Sequence, residues 1–320
     1  MKSILFYSFK GGVGRTQALL NIAKYLATES EEKKKILIVD FDIYAPGITY
    51  LANFGKDENE EYLISFLLSI FSGKQSKLYT ERYSENITIV PAYNINVVRS
   101  YNAKLSELSQ YLYSLKTAAD ERSENINTIA DIVFKYIIES INRLEEKYDY
   151  VFFDARTGIT EVSDILFSNF LDLKVLISSF NKQNIQGTND ILELLSLQKG
   201  PKHKILRILS PKPLDAKREL YKEISSQANL ELTEKERQLK KEFDWVGTYN
   251  ISYEKEIVTN DVDAWEILDD SSQYRKNIVT IANTIIDTFE GNKRIEDIIG
   301  SDENKMNTDL DKILQRFNND

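Results

Sequence analysis

Short apolar runs alternate along the chain with longer segments in which apolar residues recur at helical spacing. The short runs are typical of strands buried on both faces of a parallel sheet, and the longer segments of helices packed on it. The first strand is predicted at the start of the segment 3–16. Further strands are predicted at 36–42, 87–92, 150–154, 173–180, 204–210 and 245–251. Helices are predicted at 17–30, 62–71, 99–147 (with a loop near 120–127), 189–197, 218–243 and 274–289. This alternation predicts an α/β fold, a mostly parallel central sheet with helices on both faces.

The pattern predicts one domain over residues 1–290, because no internal repeat or low-complexity linker divides it. Residues 210–214 carry two prolines and are predicted to be irregular. The polar tail, 291–320, contains one apolar helical stripe that would suit docking on the domain or lying on a membrane. Its polar face mixes acidic and basic residues, which favours docking or disorder.

The first strand runs directly into a glycine-rich loop, KGGVGRT, and then into a helix. Gly11, Gly12 and Gly14 allow positive φ and close approach, so that consecutive backbone N–H groups can turn toward one anion. The N-terminus of the following helix adds the positive end of its dipole. Lys10 and Arg15 supply full positive charges. Strand, loop and helix in this order predict a phosphate-binding site, in which the Thr16 hydroxyl would ligate magnesium.

Two further strands end in carboxylates. Asp40 and Asp42 close the second strand and Asp154 closes the strand at 150–154. Ligands of open α/β sheets bind at the carboxyl ends of the strands, which would bring these acids beside the phosphate loop. An Asp at the end of a hydrophobic strand is typical of the magnesium-water holder of nucleotide hydrolases. The alternative is that Asp40 and Asp42 only cap the next segment. Arg156 follows closely and would face either the phosphates or a partner.

Composition excludes several kinds of chemistry. The chain has no cysteine and a single histidine, His203, so thiol catalysis, cysteine-ligated metals and a Ser/His triad are not expected. A net charge of −9 argues against broad electrostatic binding to nucleic acid. Met1 leads directly into the first strand and no apolar run is long enough to span a bilayer, which predicts a cytoplasmic protein without an integral membrane segment.

Together the motifs resemble the ParA/MinD family of P-loop ATPases, the group with the deviant Walker A motif KGGxGK[ST]. The likeness extends through VDFD at 39–42, which resembles the family's second acidic motif, and YDYVFFD at 148–154, which resembles its Walker B strand. A fainter likeness covers 181–194. The resemblance spans roughly residues 1–289, with specific motifs only in the first half, and it implies ATP and Mg²⁺ as cofactors.

The resemblance also implies roles for individual residues. Lys10 would be the signature lysine, which in a nucleotide-dependent sandwich homodimer reaches the partner's nucleotide. Asp42 would position the attacking water, and Thr16, Asp40 and Asp154 would serve the metal. The implied nucleotide-binding residues are Lys10, Gly11, Gly12, Val13, Gly14, Arg15, Thr16 and Gln17, with Pro211 and Pro213 near the base, where the family match is poor.

One departure concerns Arg15, which replaces the lysine that contacts the β- and γ-phosphates in this family. Arginine keeps the charge and can form a bidentate fork, but its plane and length differ from those of an ammonium group. Binding should therefore survive better than catalysis, in which Arg15 would take part with Asp42 and Lys10. The leading hypothesis is a dimerising ATPase of slow turnover. The alternatives are a nucleotide-binding switch or scaffold with little hydrolysis, and a small-molecule kinase or dethiobiotin-synthetase-like enzyme.

Relatives in this family partition DNA, place division machinery or deliver metal clusters. The acidic balance disfavours nonspecific DNA binding, the tail lacks a basic amphipathic face for membrane positioning, and the absence of cysteine disfavours cluster delivery. Elimination leaves a regulatory or defence-associated bacterial ATPase that acts with a partner protein of unknown identity.

Overall fold

The computed structural model describes residues 1–57, 62–73, 76–96, 98–121, 126–212, 219–260 and 264–289. The predicted tail at 291–320 and its apolar stripe lie outside these ranges. The strands are β1 (Lys2–Tyr7), β2 (Ile36–Phe41), β3 (Glu81–Arg82), β4 (Ile87–Val90), β5 (Tyr150–Ala155), β6 (Leu173–Ser178), β7 (His203–Lys212) and β8 (Phe243–Ser252). They form an eight-stranded sheet in the order β3-β4-β2-β5-β1-β6-β7-β8, in which every neighbouring pair is parallel except β3 and β4.

Eleven helices occur in the described residues. They are α1 (Arg15–Thr28), α2 (Gly47–Leu51), α3 (Leu63–Phe71), α4 (Val98–Glu121), α5 (Ile126–Asn142), α6 (Glu161–Leu166), α7 (Lys182–Ser196), α8 (Glu219–Gln238), α9 (Lys255–Asn260), α10 (Ala264–Ile267) and α11 (Gln273–Phe289). The helical stretch predicted at 99–147, with a loop near 120–127, corresponds to α4 and α5. Five short elements (α2, β3, α6, α9 and α10) lack a sequence pattern long enough to predict them. The α/β fold with helices on both faces of the sheet is confirmed.

Two hydrophobic clusters cover the two faces of the sheet. One combines the sheet with α3 to α7, and the other combines it with α1 and α11. Successive side chains of a strand point to opposite faces, so in β1 Leu5 and Tyr7 belong to the first cluster and Ile4 and Phe6 to the second. Both faces are buried, which explains why the strands read as continuous apolar runs.

The prediction that residues 210–214 are irregular is wrong for the first part of this segment, since β7 continues through Pro211 to Lys212. The pairing with β8 shifts there, from Leu209 opposite Asn250 to Lys212 opposite Ser252. Proline has no backbone N–H to donate to a neighbouring strand. Because the pairing is irregular at Pro211, no hydrogen bond from this residue is required. The remaining residues, including Pro213, lie outside the described ranges.

The predicted start of a helix at Asn189 is also wrong, because α7 begins at Lys182. Asn181 caps it by accepting a hydrogen bond from the backbone N–H of Asn184 at 2.9 Å. Gly187 lies inside the helix, where glycine is unfavourable. A β-carbon at Gly187 would lie 2.0 Å from Phe9 Cδ1, so the ring of Phe9 occupies the place of the missing side chain. A tertiary contact therefore outweighs local helix propensity.

Lys174 on β6 is fully buried at the end of the sheet opposite the glycine loop. Its Nζ donates to the carbonyl of Ser168 at 2.9 Å and lies 2.9 Å from His203 Nδ1. Burial lowers the pKa of Lys174 to about 7, with the charges of Asp131 and Asp172 opposing the shift. Burial and the nearby Lys174 charge also lower the pKa of His203 to about 3, so the imidazole stays neutral at ordinary pH.

We expect the free energy of unfolding to rise with pH between about 7 and 10, by up to about 1.4 kcal/mol per pH unit from Lys174. In this window the unfolded chain holds a proton on Lys174 that the folded chain has released, so raising the pH favours the folded state. Lys174→Met should flatten the rise in urea titrations across this range. Parallel curves for the wild type and Lys174→Met would contradict this assignment.

Candidate functional site

The loop between β1 and α1 is shaped to receive an anion. Gly12 and Gly14 both adopt φ of 76°, in the left-handed region that favours glycine. Gly14 is the N-cap of α1 and no side chain caps the helix, so its first N–H groups are left to an external partner. The glycines are exposed while Val13 is buried and anchors the loop in the core.

Three carboxylates meet at the carboxyl edge of β2 and β5, beside this loop. Asp40 pairs with Asp154 in the register of the two strands, and Asp42 follows at the end of β2. All three side chains are buried. This juxtaposition is the one expected from their positions at strand ends.

Arg15 joins two of these acids. Its Nε donates to Asp154 Oδ1 at 2.6 Å and its Nη2 donates to Asp42 Oδ2 at 3.1 Å. Arg15 is only 7% exposed, and its Nη1 has no hydrogen-bond partner among the described residues. The guanidinium therefore bridges both acidic motifs and retains one buried nitrogen for a further acceptor.

Burial and the Arg15 cation have opposite effects on the pKa values in this cluster, because burial favours the neutral carboxyl group and the cation favours the carboxylate. Burial alone would lower the pKa of Arg15, but the carboxylates of Asp154 and Asp42 raise it above its ordinary value. Burial raises the pKa of Asp42, while the charge of Arg15 opposes the shift, Asp154 adds to it, and Arg156 also opposes it. Burial raises the pKa of Asp40 to about 7, with the negative charge of Asp154 adding to the rise.

Asp40 already has protein partners. Its Oδ2 accepts from the backbone N–H of Thr49 at 2.7 Å and from the Thr49 hydroxyl at 2.6 Å, which ties β2 to the short helix α2. Its Oδ1 is buried without a partner among the described residues. Asp40 thus has an anchoring contact of the kind that the capping alternative describes, together with one free oxygen.

Thr16 and Asp154 offer the donor set that Mg²⁺ prefers. The Thr16 hydroxyl donates to Asp154 Oδ2 at 2.8 Å. In the described residues no group of three or more His, Asp or Glu side chains is placed to hold a metal ion by itself. Mg²⁺ is commonly bound by one or two side chains together with substrate phosphates, so a hydroxyl, a carboxylate and an adjoining anion cradle fit a magnesium–nucleotide complex.

Lys10 is exposed, and its Nζ donates to Gln183 Oε1 on α7 at 2.5 Å. Gln17, in the first turn of α1, accepts a hydrogen bond at its backbone carbonyl from Asn21 Nδ2 at 2.9 Å. Near the predicted base site, a β-carbon at Gly14 would lie 3.5 Å from Ser210 Oγ, which brings the residue before Pro211 next to the loop.

Sequence reasoning missed three partners of the site: Thr49, Gln183 and Tyr44. The guanidinium carbon of Arg156 lies 3.9 Å from the centroid of the Tyr44 ring. Tyr44 and Arg156 both follow the carboxyl ends of neighbouring parallel strands, β2 and β5, and that shared edge of the sheet is the signal that could have brought them together. Thr49 and Gln183 carry no comparable signal.

Comparison with known proteins agrees with this geometry. A family model described as an AAA domain matches residues 1–208. A virulence plasmid ParA family protein, pGP5-D, from Chlamydia psittaci is 33% identical over 92 residues, which cover 29% of this chain and 33% of the relative. The chain thus spans about a third of the length of this curated relative.

Solved structures share the fold over nearly the whole chain. A plasmid partition protein from Borrelia burgdorferi bound to AMPPNP aligns with a TM-score of 0.55 and 18% identity, covering 89% of this chain and 98% of that one. The septum site-determining protein MinD from Pyrococcus horikoshii, complexed with Mg-ADP, aligns with a TM-score of 0.55 and 15% identity, covering 91% and 97%. The family match, the glycine loop and the paired acidic strand ends lead to one conclusion: the chain belongs to the AAA domain family, and its fold is that of the ParA/MinD-type P-loop ATPases.

Proposed function

We propose that this chain binds ATP with Mg²⁺ at the loop between β1 and α1, hydrolyses it slowly, and forms a nucleotide-dependent sandwich dimer. The observation that carries the proposal is the bridge from Arg15 to both Asp42 and Asp154, at the mouth of an anion-binding glycine loop. A buried cation with one unused nitrogen would complement a phosphate oxygen.

Each residue then has a definite task. The backbone N–H groups of the loop and the N-terminus of α1 bind the phosphates. Thr16 and Asp154 would hold Mg²⁺, which when bound neutralises charge that develops on the transferring phosphoryl group. Asp42 accepts a hydrogen bond from the attacking water through Oδ1, the oxygen that Arg15 leaves unpaired. Arg15 donates to phosphate oxygens and holds Asp42 in place.

Lys10 supports the dimeric part of the proposal. Its side chain is exposed, and the contact with Gln183 is a hydrogen bond between an ammonium group and a neutral amide at the surface. Such a bond contributes about 1.5–3 kcal/mol to the resting position, and contacts between the ammonium group and a phosphate would replace it. Lys10 can therefore leave Gln183 for the phosphates bound by a partner subunit. The dimer would close on the nucleotide and reopen after hydrolysis.

The same ion pairs favour a second candidate, a nucleotide-dependent switch with little turnover. Arg15 occupies one oxygen of Asp42, the carboxylate that would orient water. If this pair persists when nucleotide binds, the chain would bind ATP without hydrolysing it usefully. In either case we propose that the nucleotide state controls a partner protein in a regulatory or defence system. Among the described residues, no helix is long and apolar enough to cross a membrane.

The test is phosphate release with Mg²⁺ and ATP, measured beside molar mass by light scattering. Wild type is expected to release phosphate slowly and to double in mass with ATP. Lys10→Ala should abolish phosphate release and the change in mass, because its cation is lost from the partner's site. Lys182→Ala, an exposed lysine on α7, is the matched control and should change neither. ATP-dependent dimerisation without turnover would support the switch, and absence of any response to ATP would reject both candidates.

A further inference from the structure

We propose that Arg156 is a second phosphate-contacting arginine, which lets the site distinguish a nucleoside triphosphate from a diphosphate. The inference rests on the proposed function, because it assigns a residue to the terminal phosphate of the nucleotide bound there.

The position of Arg156 follows from the sheet. Phe41 of β2 pairs with Ala155 of β5, so the next residues, Asp42 and Arg156, leave the two strands at the same level. Arg156 is also among the charges that act on Asp42. If Asp42 orients the water that attacks the terminal phosphate, Arg156 emerges beside that phosphate and not beside the base.

The segment that carries Arg156 also adjoins the phosphate loop. A β-carbon at Gly11 would lie 4.0 Å from Thr157 Cγ2, the residue that follows Arg156. The segment is fixed at both ends, by β5 before it and by the capping box of α6 after it, in which the Thr160 and Ser163 side chains bond each other's backbone N–H. Arg156 is therefore held between the glycine loop and the acidic strand ends.

The guanidinium rests on an aromatic face with its donors unused. Its central carbon is 3.9 Å from the centroid of the Tyr44 ring, and the Tyr44 hydroxyl is hydrogen-bonded to Ser109 Oγ on α4 at 2.9 Å. To the described residues Arg156 makes no hydrogen bond and no ion pair, even with Asp42, whose Oδ2 is taken by Arg15. Stacking leaves the N–H groups at the edge of the guanidinium plane free, in the fork geometry that matches phosphate oxygens.

The burial of Arg156 also suits contact with a phosphate. The side chain is half-buried, so a bound nucleotide can reach it, and water does not fully screen its charge. A guanidinium placed only to pack on Tyr44 would contribute to stability whatever nucleotide is bound. A guanidinium that meets the terminal phosphate would instead affect the triphosphate and the diphosphate differently, and this difference separates the two roles.

The experiment compares dissociation constants for AMPPNP and for ADP, each with Mg²⁺, by isothermal titration calorimetry. Arg156→Ala is expected to weaken AMPPNP binding about tenfold or more and ADP binding less than about threefold, because one charge-assisted hydrogen bond is lost with the triphosphate only. Arg156→Lys should fall between, since it keeps the charge without the fork. Arg143→Ala, an exposed arginine paired with Glu139, is the matched control and should bind both nucleotides as wild type does.

Melting temperatures without nucleotide show whether each variant folds, and Arg156→Lys provides the comparison if Arg156→Ala does not. Equal weakening of both nucleotides, or no weakening of either, would overturn the inference and leave Arg156 as a packing residue, while the proposed function would stand. Failure of the wild type to bind either nucleotide would overturn the proposed function and the inference together.

Discussion

Replacing Asp42 by alanine is expected to lower the rate of phosphate release from ATP by about 100-fold or more, while ATP binding and the ATP-dependent dimer persist. Asp42 lies at the end of β2 with Oδ2 paired to Arg15 and Oδ1 unpaired. Loss of the carboxylate removes the acceptor for the attacking water but leaves the glycine loop, Thr16 and Asp154 in place to bind the nucleotide. The dimer should therefore remain closed for longer than in wild type.

Two further variants make the Asp42 result specific. Asp42→Asn keeps an oxygen that accepts from Arg15 but removes the charge, so it should be as slow as Asp42→Ala with a smaller loss of melting temperature. Asp244→Ala, an exposed aspartate on β8, is the matched control and should turn over normally. Phosphate release measures the loss of turnover, and light scattering measures whether the ATP-dependent dimer persists. Loss of ATP binding in Asp42→Asn would show that the residue is structural, and normal turnover would remove it from the mechanism.

Replacing Arg15 by lysine is expected to lower both the stability of the nucleotide-free protein and its turnover. Arg15 uses two different nitrogens to reach Asp154 and Asp42, and a lysine ammonium has a single nitrogen on an unbranched chain. One buried carboxylate would lose its partner, which costs about 1–3 kcal/mol of the free energy of unfolding. The freed Asp42 would no longer be held in position, so we expect turnover to fall about tenfold.

Urea unfolding and phosphate release measure these two effects of Arg15→Lys. Arg143→Lys, at an exposed arginine, is the control and should change neither quantity. The opposite result is equally informative. A higher rate of phosphate release in Arg15→Lys would mean that the Arg15–Asp42 pair restrains catalysis, and it would favour the switch as the natural role of this chain.

Much of the site could be predicted because it depends on strand ends. A buried parallel strand is recognisable from a continuous apolar run, and its last residues must lie at one edge of the sheet. Asp40, Asp42 and Asp154 meet there, beside the glycine loop, as the sequence predicts. The helices are predicted less well where a tertiary contact decides the local conformation. The ring of Phe9 occupies the space beside Gly187, which explains why a residue that is unfavourable in helices lies inside α7.

The sequence by itself determined the fold class, the phosphate loop and the placement of the acidic residues, since each of these depends on local patterns and on the geometry of a parallel sheet. Only the tertiary structure decided how the side chains are paired. Arg15 bridges Asp42 and Asp154, residues 27 and 139 positions away; Lys10 contacts Gln183; and Arg156 stacks on Tyr44. The reason is physical: a charged side chain takes the partner that the folded backbone brings within a few ångströms, and no local pattern encodes that distance.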